Sequence, residues 1–253
     1  MRLAAVGDLH CKKTSRGAFE ALFAAMADAA DVLVLCGDLT DYGQAAEARV
    51  LVEELAAARQ VPVVAVLGNH DYESDQADQV KGILGDAGVK LLDGDECEIA
   101  GVGFAGVKGM GGGFGTRALQ PWGEEVIKRF VREAVEEALK LESALAKLTS
   151  SQRVAVLHYS PIRETVEGEP PEVFPFLGSS RLEEPLLRYP VAVALHGHAH
   201  YGRFEGRTRS DVPVYNVCIP VLEKQALGHP PYWIVELDPA GSPSAVGRRL
   251  RAV

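Results

Sequence analysis

Five short polar clusters, each placed directly after an apolar run of residues, constrain this chain more than any other feature of its sequence. The clusters are Asp8-Leu9-His10, Gly37-Asp38, Gly68-Asn69-His70-Asp71, His158 and Gly197-His198-Ala199-His200. The runs lack the alternation of a half-exposed strand, which predicts strands buried on both faces. Functional groups in open α/β sheets collect beyond the carboxyl ends of the strands. We therefore expect the five clusters to meet at one rim of a sheet.

The order of the predicted elements indicates an α/β fold. Apolar runs at 3–6, 32–36 and 63–67 alternate with helical patterns at 17–29, 44–59 and about 75–86, which predicts parallel strands. Further strands are predicted at 89–92, 96–100, 102–107, 154–157, 191–195, 214–217 and 232–237, with a long amphipathic helix at about 123–147. So many strands, with helices between and beside them, favour two stacked sheets covered by helices.

Composition excludes several classes of protein. The 253-residue chain carries a formal net charge of −9, which disfavours an extensive nucleic-acid surface, because phosphate backbones are held by clustered Lys and Arg. No apolar stretch approaches the roughly 18 residues that cross a membrane, and Asp8 comes too early for a signal peptide. The four cysteines have no C-x-x-C spacing and are expected to be reduced and packed. We expect a cytoplasmic protein without a membrane segment.

The polar clusters contain the residue types of a transition-metal centre. Asp8 and His10 are two residues apart, so both side chains leave an extended backbone on the same side, and His198 and His200 repeat this spacing. Asp38, isolated after the next strand, is the natural bridge between two ions. Carboxylate, amide and imidazole ligands without a thiolate suit Mn²⁺, Fe or Zn²⁺ better than Ca²⁺. The sequence thus predicts two divalent transition-metal ions as cofactors.

The order D-x-H, GD, GNHD, H and GH-x-H, which runs from Asp8 to His200, resembles the calcineurin-like metallophosphoesterase superfamily. The resemblance implies an α/β, four-layer α-β-β-α sandwich of two mixed sheets flanked by helices, which we expect to form one domain over residues 1–253. It also implies two ligand sets that share one carboxylate. One ion would be held by Asp8, His10, Asp38 and His200, and the other by Asp38, Asn69, His158 and His198.

Two further residues receive roles from the resemblance. His70, the histidine of the GNHD motif, would lie over the phosphate and donate a proton to the departing oxygen, or stabilise the transition state. Asp41, three residues after the bridging carboxylate, would orient His70. Independently of the family, an alkoxide leaves poorly unless it is protonated, and a histidine held by a carboxylate suits that task near neutral pH.

The resemblance implies a small phosphorylated substrate and hydrolysis by a metal-bridging hydroxide. In the protein Ser/Thr phosphatase branch an Arg follows the acid that Asp41 matches, whereas Tyr42 stands here, so the phosphate-gripping Arg is missing. A phosphodiester is therefore the preferred substrate class. The alternatives are a phosphomonoesterase acting on a small metabolite and a noncatalytic protein-binding scaffold that retains the fold. The sequence does not predict the oligomeric state.

Other motifs have plainer interpretations. The G-x-G-x-x-G match at 101–106 lacks the helix that a dinucleotide site requires, which favours a hairpin. The glycine-rich run 109–115 is either a flexible connection or a lid beside the pocket, and Lys108 and Arg117 next to it are expected to be solvated. His196 is expected to pack away from the other histidines, and His229 to lie in a loop.

Overall fold

The computed structural model describes residues 1–226, 230–237 and 246–247 of the chain; His229 lies outside them. In the described residues the strands are β1 (Arg2–Val6), β2 (Val32–Cys36), β3 (Val63–Val66), β4 (Lys90–Leu91), β5 (Asp95–Ile99), β6 (Val102–Val107), β7 (Gln152–Leu157), β8 (Val193–His196), β9 (Glu205–Arg207), β10 (Pro213–Asn216), β11 (Trp233–Glu236) and β12 (Val246–Gly247). The α-helices are α1 (Glu20–Ala29), α2 (Ala45–Leu55), α3 (Ala77–Asp86), α4 (Glu125–Lys147), α5 (Phe174–Leu177), α6 (Glu183–Arg188) and α7 (Ile219–Ala226).

The strands form two mixed sheets. Within the described residues, the first sheet has the order β12-β11-β1-β2-β3-β4 and the second the order β5-β6-β7-β8-β10-β9. The inner strands of each sheet are parallel, while β11, β12, β5 and β9 pair antiparallel to their neighbours. The carboxyl ends of β1, β2 and β3 therefore lie along one edge of the first sheet. Those of β6, β7 and β8 lie along one edge of the second.

The core explains why the apolar runs do not alternate. On β6, Phe104 packs into the cluster that joins the two sheets, whereas Ala105 packs into the cluster beneath α4 and α6. On β7, Val154 likewise packs into the cluster that joins the two sheets, and Ala155 packs into the cluster beneath α4 and α6. Because side chains alternate across a strand, a strand covered on both faces needs apolar residues at every position. Helices α1, α2 and α3 cover the other face of the first sheet, which confirms the α-β-β-α sandwich.

The G-x-G-x-x-G match forms the predicted hairpin. Strands β5 and β6 pair antiparallel, and the turn places Ala100 at φ 46° and Gly101 at φ 82°. Two consecutive positive φ values are those of a type I′ turn, whose twist suits a two-residue hairpin. No helix follows β6 directly, because the glycine-rich run comes next.

Some element boundaries differ from the sequence expectation. Helix α1 begins at Glu20 rather than at residue 17, because Gly17 has φ 77°, outside the helical region. The carboxylate of Glu54 on α2 accepts hydrogen bonds from the amides of Gly17, Phe19 and Glu20. A carboxylate from another helix thus accepts hydrogen bonds from main-chain amides at the start of α1, which have no partner within the helix. Strand β9 was not predicted. None of the helices in the described part of the chain is long and apolar enough to cross a membrane.

Candidate metal centre

The polar clusters leave their strands through strained turns. Four of the predicted ligands have positive φ angles: 58° at Asp8, 45° at His10, 46° at Asp38 and 73° at His198. Residues other than glycine adopt this region rarely, and such strain is concentrated at functional sites. The turns direct these residues to the rim where the two sheets meet.

Two glycines make room for the carboxylates. A Cβ atom on Gly68 would lie 2.1 Å from Oδ1 of Asp38, and one on Gly197 would lie 2.2 Å from Oδ2 of Asp8. Both distances are far shorter than a van der Waals contact, so a side chain at either position would displace a predicted ligand. The glycines of the GN and GH pairs are therefore required by the close approach of the carboxylates.

One group of ligand atoms that could hold a metal ion comes from Asp8, His10 and His200, within 4.8 Å of one another. Nε2 of His200 lies 2.9 Å from Oδ1 of Asp8. The backbone amide of His198 donates to the same carboxylate, at 3.0 Å from Oδ1 and 2.9 Å from Oδ2. Nε2 of His10 is buried without a hydrogen-bond partner and lies 3.7 Å from Oδ2 of Asp38.

A second group consists of Asp38, His158 and His198, again within 4.8 Å. Nδ1 of His158 donates to the carbonyl of Cys36 at 3.0 Å, which leaves Nε2 as an acceptor. That Nε2 faces Oδ1 of Asn69 at 2.9 Å and Oδ1 of Asp38 at 3.4 Å. When the His158 ring is neutral, three electron-pair donors therefore converge on one point.

The ring nitrogens of His198 are also assigned by their surroundings. Nε2 donates to the main-chain carbonyl of Phe176 at 3.1 Å, so Nδ1 carries the free lone pair. Burial lowers the pKa of His198 to about 3, and burial also lowers the pKa of His10. Both rings are therefore held neutral, which is the state in which imidazole binds a metal.

The residues of both groups fit divalent cations. A buried imidazole nitrogen without a partner and a convergence of acceptors are costly unless a cation lies between them. The rings of His158 and His198 are held by main-chain carbonyl groups behind them, a usual support for metal-binding histidines. Asp38 belongs to the second group and also to an overlapping group with His10 and His70.

His70 lies beside this centre. Its amide donates to Oδ1 of Asp38 at 2.9 Å, and its ring meets that of His10 edge-on with 4.6 Å between centroids. Nδ1 of His70 donates to the main-chain carbonyl of Asp41 at 2.8 Å and lies 3.4 Å from Oε2 of Glu73. Asp41, which the sequence predicts to orient His70, therefore contacts the His70 ring through its main-chain carbonyl and not through its side chain. Burial lowers the pKa of His70, but the Asp41 carbonyl and the charge of Asp38 outweigh it and raise the pKa.

A family model described as calcineurin-like phosphoesterase matches residues 1–202, which include both ligand groups. The chain belongs to this family. A search of curated proteins found no match. The family is one of metal-dependent phosphoesterases, and the fold and the two ligand groups found here agree with that membership.

Solved structures share the fold. Phosphopantetheinyl hydrolase from Mycobacterium tuberculosis superposes with a TM-score of 0.65 at 16% identity, over 96% of this chain and 98% of that one. A putative 5′-nucleotidase from Staphylococcus aureus gives 0.54 at 14% identity, over 95% of this chain and 51% of that one. A protein of Thermus thermophilus, TT1561, gives 0.51 at 15% identity, over 87% of this chain and 90% of that one. At these identities the likeness shows the fold alone.

Asp71 holds together two of the loops that carry the predicted ligands. Its fully buried carboxylate accepts bonds from the amides of Leu39, Thr40 and Gly68 and from the hydroxyl of Thr40. Burial raises its pKa to about 6, against the opposing effect of the Thr40 bond. The carboxylate therefore joins the loop after β2 to the loop after β3, the loops that carry Asp38 and Asn69.

The glycine-rich run is neither a free connection nor a separate lid. The amide of Gly112 donates to the carbonyl of Pro175 at 2.6 Å, and that of Gly113 donates to the carbonyl of Gly178 at 2.9 Å. The run therefore supports α5, whose Phe176 carbonyl holds His198. Phe176 has no signal in the sequence, because it contacts the site through its main chain and not through its side chain.

Of the two basic residues next to this run, Lys108 and Arg117, only Lys108 differs from the expectation that both are solvated. Lys108 is only partly exposed: its ammonium donates to the Gly109 carbonyl at 2.7 Å and lies 5.3 Å from the ring centroid of Tyr159. Burial lowers its pKa. The interpretation of Lys108 as a solvated surface residue is therefore wrong, whereas Arg117 is exposed. His196 is buried and bonded to Thr165, away from the ligand groups as expected.

Proposed function

We propose that this phosphoesterase hydrolyses a phosphodiester of a small substrate, with two divalent transition-metal ions bound by the seven residues Asp8, His10, Asp38, Asn69, His158, His198 and His200. The observation that carries the proposal is the convergence of Nε2 of His158, Oδ1 of Asn69 and Oδ1 of Asp38 beside the unpartnered Nε2 of His10. Ions bound there would lower the pKa of a water molecule and neutralise charge on the phosphate.

The side chains around the ions have separate tasks. Asp38 belongs to the group with His158 and His198 and to the overlapping group with His10 and His70, so one carboxylate could serve as a ligand to both ions. His70 is anchored at Nδ1 by the Asp41 carbonyl, so its Nε2 is the atom available to protonate a departing oxygen. Its raised pKa favours the protonated form that this task needs. Asp71 fixes the two loops on which these residues lie.

The preference for a diester follows from the charge around the rim. A monoester dianion presents three terminal oxygens, which Arg forks commonly bind. Tyr42 occupies the position of such an Arg, Arg117 is exposed, and Arg203 pairs with Glu167 at 2.9 Å. A diester monoanion has less charge to neutralise, so two ions with Asn69 and His70 suffice.

Phosphomonoester hydrolysis is the second candidate, and one observation favours it. The ammonium of Lys108 lies 5.3 Å from the ring centroid of Tyr159, and the Tyr159 ring centroid lies 4.4 Å from that of His198. A cation at this position could meet a third phosphate oxygen. A noncatalytic scaffold is disfavoured, because none of the predicted ligands is replaced.

The test is a comparison of two substrates with the same leaving group. After loading with Mn²⁺, kcat/KM should be higher for bis(p-nitrophenyl) phosphate than for p-nitrophenyl phosphate. Lys108→Ala should leave this order unchanged. A preference for the monoester that disappears in Lys108→Ala would establish the second candidate instead.

A further inference from the structure

A cavity of about 510 Å³ lies between β4 and β5, each of which stands at one end of its sheet. Its wall also includes Leu67 and Tyr72, which flank the GNHD cluster at 68–71, and Lys108, which follows β6. The cavity therefore adjoins the loop after β3 that carries predicted ligands of the metal centre.

Lys108 connects this cavity to the second ligand group. Its main-chain carbonyl accepts hydrogen bonds from the amides of His158 at 3.1 Å and Tyr159 at 3.0 Å. Its ammonium lies 5.3 Å from the ring centroid of Tyr159 and 5.8 Å from that of Tyr72. The ring centroid of Tyr159 lies 5.5 Å from that of His158 and 4.4 Å from that of His198. The Tyr159 ring thus contacts both the ammonium and two predicted ligands.

Two carboxylates beside the cavity, the half-buried Asp93 and the buried Glu137, are fully paired. Oδ2 of Asp93 binds the ammonium of Lys81 at 2.7 Å, and Oδ1 binds that of Lys140 at 3.2 Å. Oε1 of Glu137 binds Lys140 at 2.7 Å, and Oε2 accepts a hydrogen bond from the amide of Gly109 at 2.7 Å. Two lysines therefore balance these two carboxylates.

Lys108 is held by neutral groups instead. Its ammonium donates to the Gly109 carbonyl at 2.7 Å and lies 3.9 Å from Sδ of Met110. Three carboxylates act on it from a distance, those of Glu137, Glu133 and Asp93. A partly buried charge is costly unless an opposite charge compensates for it, so an anion next to this ammonium would be stabilised.

We propose that this cavity binds an oxyanion, a carboxylate or a phosphate group, with Lys108 as its counter-ion. A lysine ammonium has three donors, so Lys108 keeps donors for a ligand after its bond to the Gly109 carbonyl. The cavity adjoins the metal centre, so the source that matches the proposed function, on which this part of the inference rests, is a second anionic group on the phosphodiester. A free anion is the other source of the same chemistry.

The test adds an anion to the retained ester group and keeps the leaving group constant. Carboxyalkyl p-nitrophenyl phosphates of increasing chain length are compared with the uncharged alkyl diesters of the same length, at one ionic strength. In the Mn²⁺-loaded wild type, kcat/KM should favour the carboxylated diester at the length that reaches Lys108. Lys108→Met keeps the apolar stem and removes the charge, and it should lower this preference by about 10-fold to 100-fold, the range for a hydrogen bond to a charged group.

Sulfate binding tests the site without turnover. Calorimetric titration of the Mn²⁺-loaded protein with inorganic sulfate, at constant ionic strength, should show binding that Lys108→Met weakens by about 10-fold or more. Such binding without a preference between the diesters would support the oxyanion site and identify a free anion as its source. Such binding without turnover of any diester would overturn the proposed function alone.

The control is Lys90→Gln, which removes an equal charge from an exposed part of the same wall, where Asp95 is also exposed and Glu96 pairs with Lys147 at 3.2 Å. It should change the diester preference and the sulfate affinity by less than about twofold, because exposed charges are screened. Equal effects of Lys90→Gln and Lys108→Met would overturn the inference. A wild type that neither prefers the carboxylated diesters nor binds sulfate would also overturn it, and this outcome does not depend on the folding of any variant.

Discussion

The carboxylate of Asp41 lies against His10, with 3.4 Å between Oδ1 and Nδ1 of the ring. The opposite ring nitrogen, Nε2, is the buried atom without a hydrogen-bond partner that faces Asp38. A carboxylate behind a metal-binding histidine fixes the ring and its tautomer. Asp41 thus supports His10 through its side chain and His70 through its main chain.

Asp41→Asn should therefore weaken metal binding without removing the support of His70. The substitution takes away the negative charge behind His10 but keeps the carbonyl of residue 41. We expect a loss of about 10- to 100-fold in metal affinity, the usual cost of removing such a partner. Calorimetric titration of the metal-free protein with Mn²⁺ measures it. The control is Lys12→Ala, which removes the exposed ammonium 3.5 Å from Asp41. Unchanged affinity with a new dependence on the leaving group would assign the carboxylate to His70.

Asp38→Ala should lose both ions together. The carboxylate lies 3.7 Å from Nε2 of His10 and 3.4 Å from Nε2 of His158, so it stands between the two groups. Metal analysis after Mn²⁺ loading should give about two ions per chain in the wild type, as in paired-ion sites, and fewer than one in the variant. A variant that keeps two ions would contradict the shared ligand set.

His70→Ala should keep its metal but lose turnover in a manner that depends on the leaving group. Removal of a general acid costs about 10² to 10⁴ in rate when the leaving group needs a proton. Esters of simple alcohols should show this loss, whereas p-nitrophenyl esters should lose much less, because p-nitrophenolate departs without protonation. Metal content is the accompanying measurement, since His70 also lies in a group with His10 and Asp38. Equal losses for all leaving groups would indicate electrostatic stabilisation alone.

Gly111→Ala should destabilise the protein, because the new methyl group would meet the Pro175 carbonyl at 2.5 Å, where neither backbone has room to yield. Overpacking of this kind costs about 1 to 3 kcal/mol. Gly82→Ala is the matched control: it places the same methyl group in open space on α3 and should stabilise the helix by about 0.5 to 1 kcal/mol. Urea unfolding of both variants measures the difference.

The four cysteines should react slowly in the native protein. Burial raises the pKa of Cys97 to about 11 and that of Cys11 to about 12, and it also raises the pKa values of Cys36 and Cys218 well above the ordinary thiol value. The thiolate is the reactive form, so labelling at pH 8 should be slow and should rise about tenfold for each pH unit below the pKa. Unfolding in urea should release all four thiols. Rapid native labelling of Cys11, which adjoins His10, would contradict this account.

Local sequence patterns were enough to predict the buried strands that carry the ligands and the residues at their ends. Runs such as Val32–Cys36 are apolar at every position because both faces are covered, and this pattern is local and readable. The ligand spacings are equally local, since a residue two positions away lies on the same side of an extended chain. This is why the fold class and the residues that form the two ligand groups could be predicted before any contact was known.

The support of those residues depends on contacts between segments that are distant in the chain. The amides at the start of α1 bind Glu54 from another helix, and the tautomer of His198 depends on the carbonyl of Phe176, 22 residues away. The carboxylate of Asp41 lies against His10, whereas its main-chain carbonyl holds His70. Every residue has a main-chain carbonyl, so the residue type does not show which carbonyl contacts the site. Contacts between distant segments likewise leave no local pattern in the sequence. A sequence can therefore predict which side chains meet at the rim, whereas what holds each of them there follows from packing.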